Sequence, residues 1–321
     1  MEPHFTSETT AEDVAAVFAT EIVTKNVLIT GTSINGLGFE SARVIAKHAN
    51  LVIITGYNEE RLKLSQDALQ KEFPSANIRH LILDLSSMAS VRKAAAEVNA
   101  YAEPIHVLIN NAAAPLGKFK ITSDGLERQI AIDHVGPFLF TKLLVPKLLA
   151  SATPAYTPRV VVVASNAHRA APPIDFSTLF QPDEKTFDTI NVYGQAKSAN
   201  ILAMGELARR AQGKLNAYAL HPGVIYTNMV HHPETLPVLQ QAGVLDQNGN
   251  PTPLLQWRTI PQGAAPIVIA AFDPRLNDRS GAYLEDCQIA TETIAPHTSD
   301  PARAETLWKM TEAIIGEEFT V

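Results

Sequence analysis

Six short runs of β-branched and leucine residues recur along the chain, most of them followed by a longer stretch with helical spacing. No other feature constrains the fold as tightly. The runs are Asn26–Thr30, Leu51–Thr55, Ile78–Leu83, Ile105–Ile109, Val160–Ala164 and Ala217–Leu220. The helical stretches are Leu37–His48, Glu59–Phe73, Met88–Tyr101, Leu126–Leu149 and Val192–Arg210. Apolar runs without alternation suit strands buried on both faces, as in a parallel sheet. Their exchange with helices predicts βαβ units and a doubly wound α/β sheet with helices on both faces. Gly281–Asp286 is a candidate seventh strand, with Gln262–Phe272 as the helix before it.

With 321 residues, 46% apolar and only 18% charged, the chain can bury one large core. A single domain over residues 25–321 is expected, preceded by an N-terminal arm over 1–24 with one short amphipathic helix. Residues 166–191 and 228–258 break the rhythm; the second holds Pro233, Pro237, Pro251 and Pro253. Long irregular segments in a compact domain are usually functional, so both are expected as substrate loops at the carboxyl edge of the sheet.

The arm carries Glu2, Glu8, Glu12 and Asp13 and no Lys or Arg in its first twenty residues, unlike a signal peptide. The run Ala264–Phe272 is far shorter than a bilayer span, so no membrane anchor is expected. A net charge of −7 without a basic stripe argues against a nucleic-acid partner. The single Cys287 cannot form an intrachain disulfide, which fits a reducing, cytoplasmic setting and excludes a thiolate metal site.

After the first run, Gly31-Thr32-Ser33-Ile34-Asn35-Gly36-Leu37-Gly38 leads straight into a helix. Glycines admit positive φ and let backbone approach a pyrophosphate, while a helix N-terminus offers it unpaired N–H groups. The turn therefore reads as a dinucleotide cradle in a Rossmann-type sheet. At the end of the second strand stand Gly56, Tyr57 and Asn58, with no carboxylate to hold ribose hydroxyls as NAD sites commonly do. That leaves room for a 2′-phosphate, and Arg61 is near enough in sequence to pair with it, so NADP(H) is favoured over NAD(H). Arg61 could equally be a surface charge. Asp84-Leu85 ends the third strand, where the acid could accept from an adenine amine or cap a helix. Asn110-Asn111-Ala112-Ala113, after the fourth, offers amides and small residues beneath a ribose, or a tight turn.

Tyr193 and Lys197 stand four residues apart on a predicted helix, and Ser165 closes the strand before it. Reducing a carbonyl needs a hydride on carbon and a proton on oxygen from a group that titrates near working pH. Free tyrosine ionises near pH ~10, and an ammonium one turn away lowers that value at about 1.4 kcal/mol per unit. Ser165 could hydrogen-bond the same oxygen and orient it.

Thr30-Gly31…Gly36-Leu37-Gly38, Asp84-Leu85, Asn110-Asn111-Ala112, Ser165, Tyr193…Lys197 and Pro222-Gly223 together resemble the short-chain dehydrogenase/reductase family, over residues Lys25 to Met310. Gln262-Gly263-Ala264-Ala265 and Tyr283-Leu284-Glu285-Asp286-Cys287 resemble its retinol-dehydrogenase-like and WW-domain-oxidoreductase-like branch, and the acidic arm is similar to fungal members. The resemblance implies a nicotinamide cofactor and alcohol/carbonyl redox chemistry. It implies Tyr193 as general acid/base, Lys197 as ribose binder and phenol tuner, and Ser165 as substrate orienter. Ile225 and Thr227 would touch the nicotinamide carboxamide, Asn111 and Asp84 the adenosine side. Ser33, Asn35, Leu37, Tyr57, Ala112, Pro222 and Gly223 complete the expected cofactor contacts.

Four positions depart from the family pattern. Asn35 is one extra residue in the glycine turn, so its path should bulge; Ala113 replaces a glycine; Tyr57 stands where many NADP-preferring relatives carry arginine. In Ile132-Asp133-His134-Val135-Gly136-Pro137, Asp133 replaces an asparagine that kinks the helix and holds a proton-relay water. It reads as a relay with altered pH dependence, a neutral replacement or a crippling one.

His231-His232 lacks a carboxylate at ligand spacing and adjacent side chains diverge, so no metal is expected. His168 could line the substrate pocket or merely satisfy a loop carbonyl; Met229, Leu236 and Trp257 are candidate pocket walls. The expected function is hydride exchange between NADP(H) or NAD(H) and a carbonyl or secondary alcohol of a bulky apolar molecule, such as a secondary metabolite. A cofactor-binding pseudoenzyme or redox sensor is the rival. A nucleotide-sugar epimerase would space its glycines differently and add a substrate lobe. The helices over Leu126–Leu149 and Val192–Arg210 could pair in a homo-oligomer or simply be core.

Overall fold

In the computed structural model, which describes residues 3–180 and 183–321, each anticipated strand forms with its ends within two residues of the apolar run. They are β1 (Asn26–Ile29), β2 (Leu51–Gly56), β3 (Ile78–Ile82), β4 (Val107–Asn110), β5 (Arg159–Val163) and β6 (Asn216–Leu220). Two-residue strands β7 (Val224–Ile225) and β8 (Trp257–Arg258) pair only with each other, in parallel. A hairpin, β9 (Tyr283–Glu285) and β10 (Gln288–Ile289), completes the main sheet. Its order is β3-β2-β1-β4-β5-β6-β9-β10, parallel throughout except for the antiparallel edge strand β10. The sheet thus has eight strands where about seven were expected. Strand β10 is two exposed residues returned by the Asp286-Cys287 turn, too short to carry a periodic signal.

The helices are α1 (Ala11–Val17), α2 (Ala19–Ile22), α3 (Leu37–Ala46), α4 (Glu59–Glu72), α5 (Met88–Ala100), α6 (Arg128–Ile130) and α7 (Gly136–Leu149). Then follow α8 (Thr189–Ala211), α9 (Thr235–Gln241), α10 (Ile260–Phe272), α11 (Pro296–Ser299) and α12 (Pro301–Ile315). Strands β1, β4, β5 and β6 are buried along their whole length, so alternate side chains feed two cores. Residues of α5, α7, α8 and α12 form one core; those of α1, α3 and α10 form the other.

The arm is not appended. Phe5, Val14, Phe18 and Ile22 are buried in the second core, and Glu12 pairs with Arg43 at 3.2 Å and Lys47 at 2.6 Å. The main-chain oxygens of Pro3 and Phe5 accept from Arg275 and Gln288. Glu12 therefore ties the arm to α3 at the surface, Glu8 pairs with Arg258 at 3.6 Å, and the arm's apolar residues extend the core. Met1 and Glu2, like positions 181 and 182 of the first long loop, lie outside the described residues. The second long loop is less irregular than expected, holding α9 and ending in β8, which pairs back with β7 just before the loop.

Candidate active site

Strand order reverses beside β1 and β4, and a doubly wound sheet opens its ligand crevice at the carboxyl ends of such strands. The residues that follow them are in contact there. Gly31 has φ +71°, and a Cβ on it would lie 2.8 Å from Ala112. Asn111 donates its side-chain amide to the main-chain oxygens of Thr30 (2.9 Å) and Gly31 (3.0 Å), while the Thr30 hydroxyl accepts from the N–H groups of Asn111 and Ala112. A Cβ on Gly38 would sit 2.4 Å from the Gly31 oxygen and 2.5 Å from the Asn111 amide. Gly36 opens α3 with no side-chain cap, so its first-turn N–H groups face outward. The extra residue Asn35 is accommodated at φ 61°, as a left-handed bulge. Ser33 is exposed, and its carbonyl accepts from Gly36 at 3.1 Å. This is a cradle that side chains would fill, and it fits a pyrophosphate.

The adenosine-side candidates flank it. Tyr57 is 70% exposed at the end of β2, and Arg61 is exposed with no ion pair to any described residue. Asp84 closes a turn, accepting from the N–H (2.9 Å) and hydroxyl (2.6 Å) of Ser86, and Ser87 caps α5 instead. Leu85 is buried against Gly136. On the other side Gly223 has φ +99° and packs on Arg258, and Ile225 and Leu37 both abut Gly263. Thr227 donates its N–H to the Ile225 carbonyl at 3.1 Å.

Asp133 lies in a π turn, residues 131–135, which splits the long helix expected over 126–149. Pro137, four residues on, has no N–H for the Asp133 carbonyl, which favours the wider turn. Asp133 is 1% exposed and accepts from the N–H of Ala114 at 2.7 Å. Its other oxygen lies 3.0 Å from Lys197 Nζ, off the axis of a hydrogen bond, so the contact is chiefly ionic. Lys197, also buried, donates weakly to the Val163 carbonyl (3.4 Å), and its ammonium is 5.3 Å from the Tyr193 ring centre. Burial disfavours that ammonium, but the Asp133 charge and the Tyr193 phenol outweigh burial and hold it above the usual lysine range.

Tyr193 is half-buried on α8. Gly194 beside it presses against the short turn after Ser165: a Cβ there would be 2.4 Å from Ala171 Cβ and 2.9 Å from the Ala167 oxygen. Ser165 accepts from the Ala167 N–H at 3.2 Å through its hydroxyl oxygen. His168 is fully buried and its Nδ1 donates to the Ser165 carbonyl at 2.7 Å, the loop-carbonyl role among the two expected.

His231 packs edge-on to Tyr226, and no three His, Cys, Asp or Glu side chains gather at metal-binding distance among the described residues. Trp257 donates to the Thr252 carbonyl at 2.9 Å, within its own loop. Four contacts had no signal in the sequence because their partners are far apart along the chain. The Asn228 amide donates to the Ile34 carbonyl, tying the second loop to the glycine turn. Glu234 pairs with Lys120 and, at 2.9 Å, with Arg128, and Thr235 donates to the Leu116 carbonyl at 3.1 Å, fixing α9 beside the crevice.

A family model described as short chain dehydrogenase matches residues 25–175. A Brassica napus protein named short-chain dehydrogenase TIC 32 A, chloroplastic, is 34% identical over 94% of this chain and 91% of its own. The WW domain-containing oxidoreductase of Danio rerio is 34% identical over 92% of this chain and 69% of its own. The short-chain dehydrogenase/reductase prx1 of Penicillium rubens is 34% identical over 89% and 83%. A solved structure of an uncharacterised Mycobacterium paratuberculosis protein superposes with TM-score 0.69 at 25% identity, over 94% of this chain and 98% of that one. The chain belongs to the short-chain dehydrogenase/reductase family, in the branch of the WW domain-containing oxidoreductases and the fungal reductases of the prx1 kind.

Proposed function

We propose that the protein is an NAD(P)(H)-dependent ketoreductase or alcohol dehydrogenase, with Tyr193 as general acid/base. The observation that carries this reading is the chain of contacts from the Tyr193 ring through Lys197 to the Asp133 carboxylate, beside a glycine cradle fitted to a pyrophosphate. Gly31, Ser33, Asn35, Gly36, Leu37 and Gly38 would hold the pyrophosphate, and Ala112, Asn111, Asp84 and Leu85 would border the adenosine. Pro222, Gly223, Ile225 and Thr227 would border the nicotinamide. A bound nicotinamide supplies or takes the hydride. The Tyr193 hydroxyl gives its proton to the substrate oxygen in reduction and recovers it in oxidation, Ser165 orients that oxygen, and Lys197 stabilises the phenolate. Asp133, a carboxylate where relatives carry an amide, moderates the field of Lys197 on the phenol.

NADP(H) is favoured by the exposed, carboxylate-free end of β2 and the exposed Arg61, which has no ion pair among the described residues. The substrate is read as a bulky apolar carbonyl or secondary alcohol of secondary metabolism, the location as cytoplasmic, and association into a homo-oligomer as compatible with the family. Among the described residues no helix is long and apolar enough to cross a membrane. The test is a fluorescence titration with NADPH and NADH, followed by a panel of bulky ketones and quinones. Tighter binding of NADPH and its oxidation by a panel member are expected. Cofactor binding without oxidation across the panel would favour a sensor.

A further inference from the structure

The His168 ring is completely buried, yet only one of its nitrogens has a partner among the described residues. Because Nδ1 faces the Ser165 carbonyl, which cannot donate, the proton sits on Nδ1 and Nε2 is a bare lone pair. Burying an acceptor that no side chain satisfies is unfavourable, and an apolar side chain of similar volume would pack there without it. What the imidazole provides that such a side chain cannot is the N–H to Ser165.

That bond fixes a small turn with two consequences. Ser165 is extended (φ −160°, ψ 152°), and anchoring its carbonyl sets the direction of its side chain, whose oxygen already accepts from Ala167. The hydroxyl proton is then left to donate to a substrate oxygen. The same turn presents the Ala167 oxygen and the Ala171 methyl to Gly194, the neighbour of Tyr193. The ring is backed by Tyr283 on β9, edge-on at 5.5 Å, and the next residue, Arg169, is held by Glu285 and the Thr293 carbonyl. The imidazole therefore stands on the rigid sheet and supports Ser165 from behind.

We infer that His168 is a positioning residue for the proposed reaction, acting through the Ser165 main chain. The inference rests on the role of Ser165 given above. It is tested in the full-length protein with NADPH and phenanthrenequinone as the carbonyl probe. The variants are His168→Leu, His168→Gln and His168→Asn, with Ser165→Ala alone and combined with His168→Leu. An asparagine amide reaches the place of Nδ1; the longer glutamine amide does not. His168→Leu and His168→Gln should lose about 10- to 100-fold in kcat with KM and NADPH affinity little changed. His168→Asn should recover most of that loss, and Ser165→Ala should lose no more when His168→Leu is added.

Equal losses in the Asn and Gln variants, full kcat in the Gln variant, or a further drop in the double variant would overturn the inference while leaving Ser165 its role. Full activity in Ser165→Ala would instead remove that role, and the inference with it. If His168→Leu does not fold, as judged by melting and NADPH fluorescence, the comparison of Asn with Gln decides.

Discussion

At the scale of single residues, the pair of Asp133 and Lys197 decides the charge balance beside Tyr193. Two opposite charges at 3.0 Å, both buried, form an ion pair shielded from bulk solvent. With its ammonium held above the lysine range, Lys197 contributes stability that is complete below the unfolded value near 10.5 and is lost only as pH rises through the higher folded value. At working pH the ammonium is therefore intact, and in the proposed reaction the Asp133 carboxylate would offset part of its positive field at Tyr193. Replacing Asp133 by Asn leaves that field unopposed. The pH dependence of kcat should move toward lower pH, while NADPH affinity in a fluorescence titration stays within about twofold. An unchanged profile would end the idea that Asp133 tunes the phenol.

Around the crevice, Gly31, Gly38 and Gly194 lie too close to a neighbouring element to carry a methyl group. Gly38→Ala would drive a Cβ into the Gly31 carbonyl and the Asn111 amide, two groups that themselves define the cradle. NADPH affinity should fall by at least about tenfold, read by the same titration, with about 1–3 kcal/mol lost in urea melts. Unaltered affinity would mean that the pyrophosphate does not lie there. The strands and the glycine turn were legible because each signal is local: a β-branched run such as Arg159–Val163, or a glycine string between a strand and a helix. Tyr193 and Lys197 were legible for the same reason, being one helical turn apart. The contacts hidden in the sequence join distant segments. Nothing around Asn228 announces that its amide will meet the Ile34 carbonyl, and nothing around Thr235 announces Leu116. The π turn was visible only through the family's asparagine, since Leu126–Leu149 keeps its apolar pattern across the break.

For the molecule as a whole, the N-terminal arm and the buried histidines set stability. Phe18 lies in the second core and stacks edge-on with Phe5. Phe18→Ala should cost about 3–5 kcal/mol in urea melts without changing NADPH affinity, and a loss below about 1 kcal/mol would show the arm to be peripheral. Burial pushes the imidazoles of His106, His134 and His221 down to about 4 from 6.5. The unfolded chain takes up protons at the higher value while the fold refuses them, so stability is complete above 6.5 and is lost as pH falls toward 4. At His106 a proton on Nδ1 would also break the bond it accepts from the Asn26 N–H. The melting temperature should drop between neutrality and about pH 5, and a flat profile there would contradict this assignment. The proposed function turns on one hydroxyl, that of Tyr193. The most direct test is NADPH binding and carbonyl-dependent NADPH oxidation by Tyr193→Phe beside the parent protein. Affinity should be retained and turnover should fall by about 10²–10⁴-fold. Parental turnover in the phenylalanine variant would contradict the account.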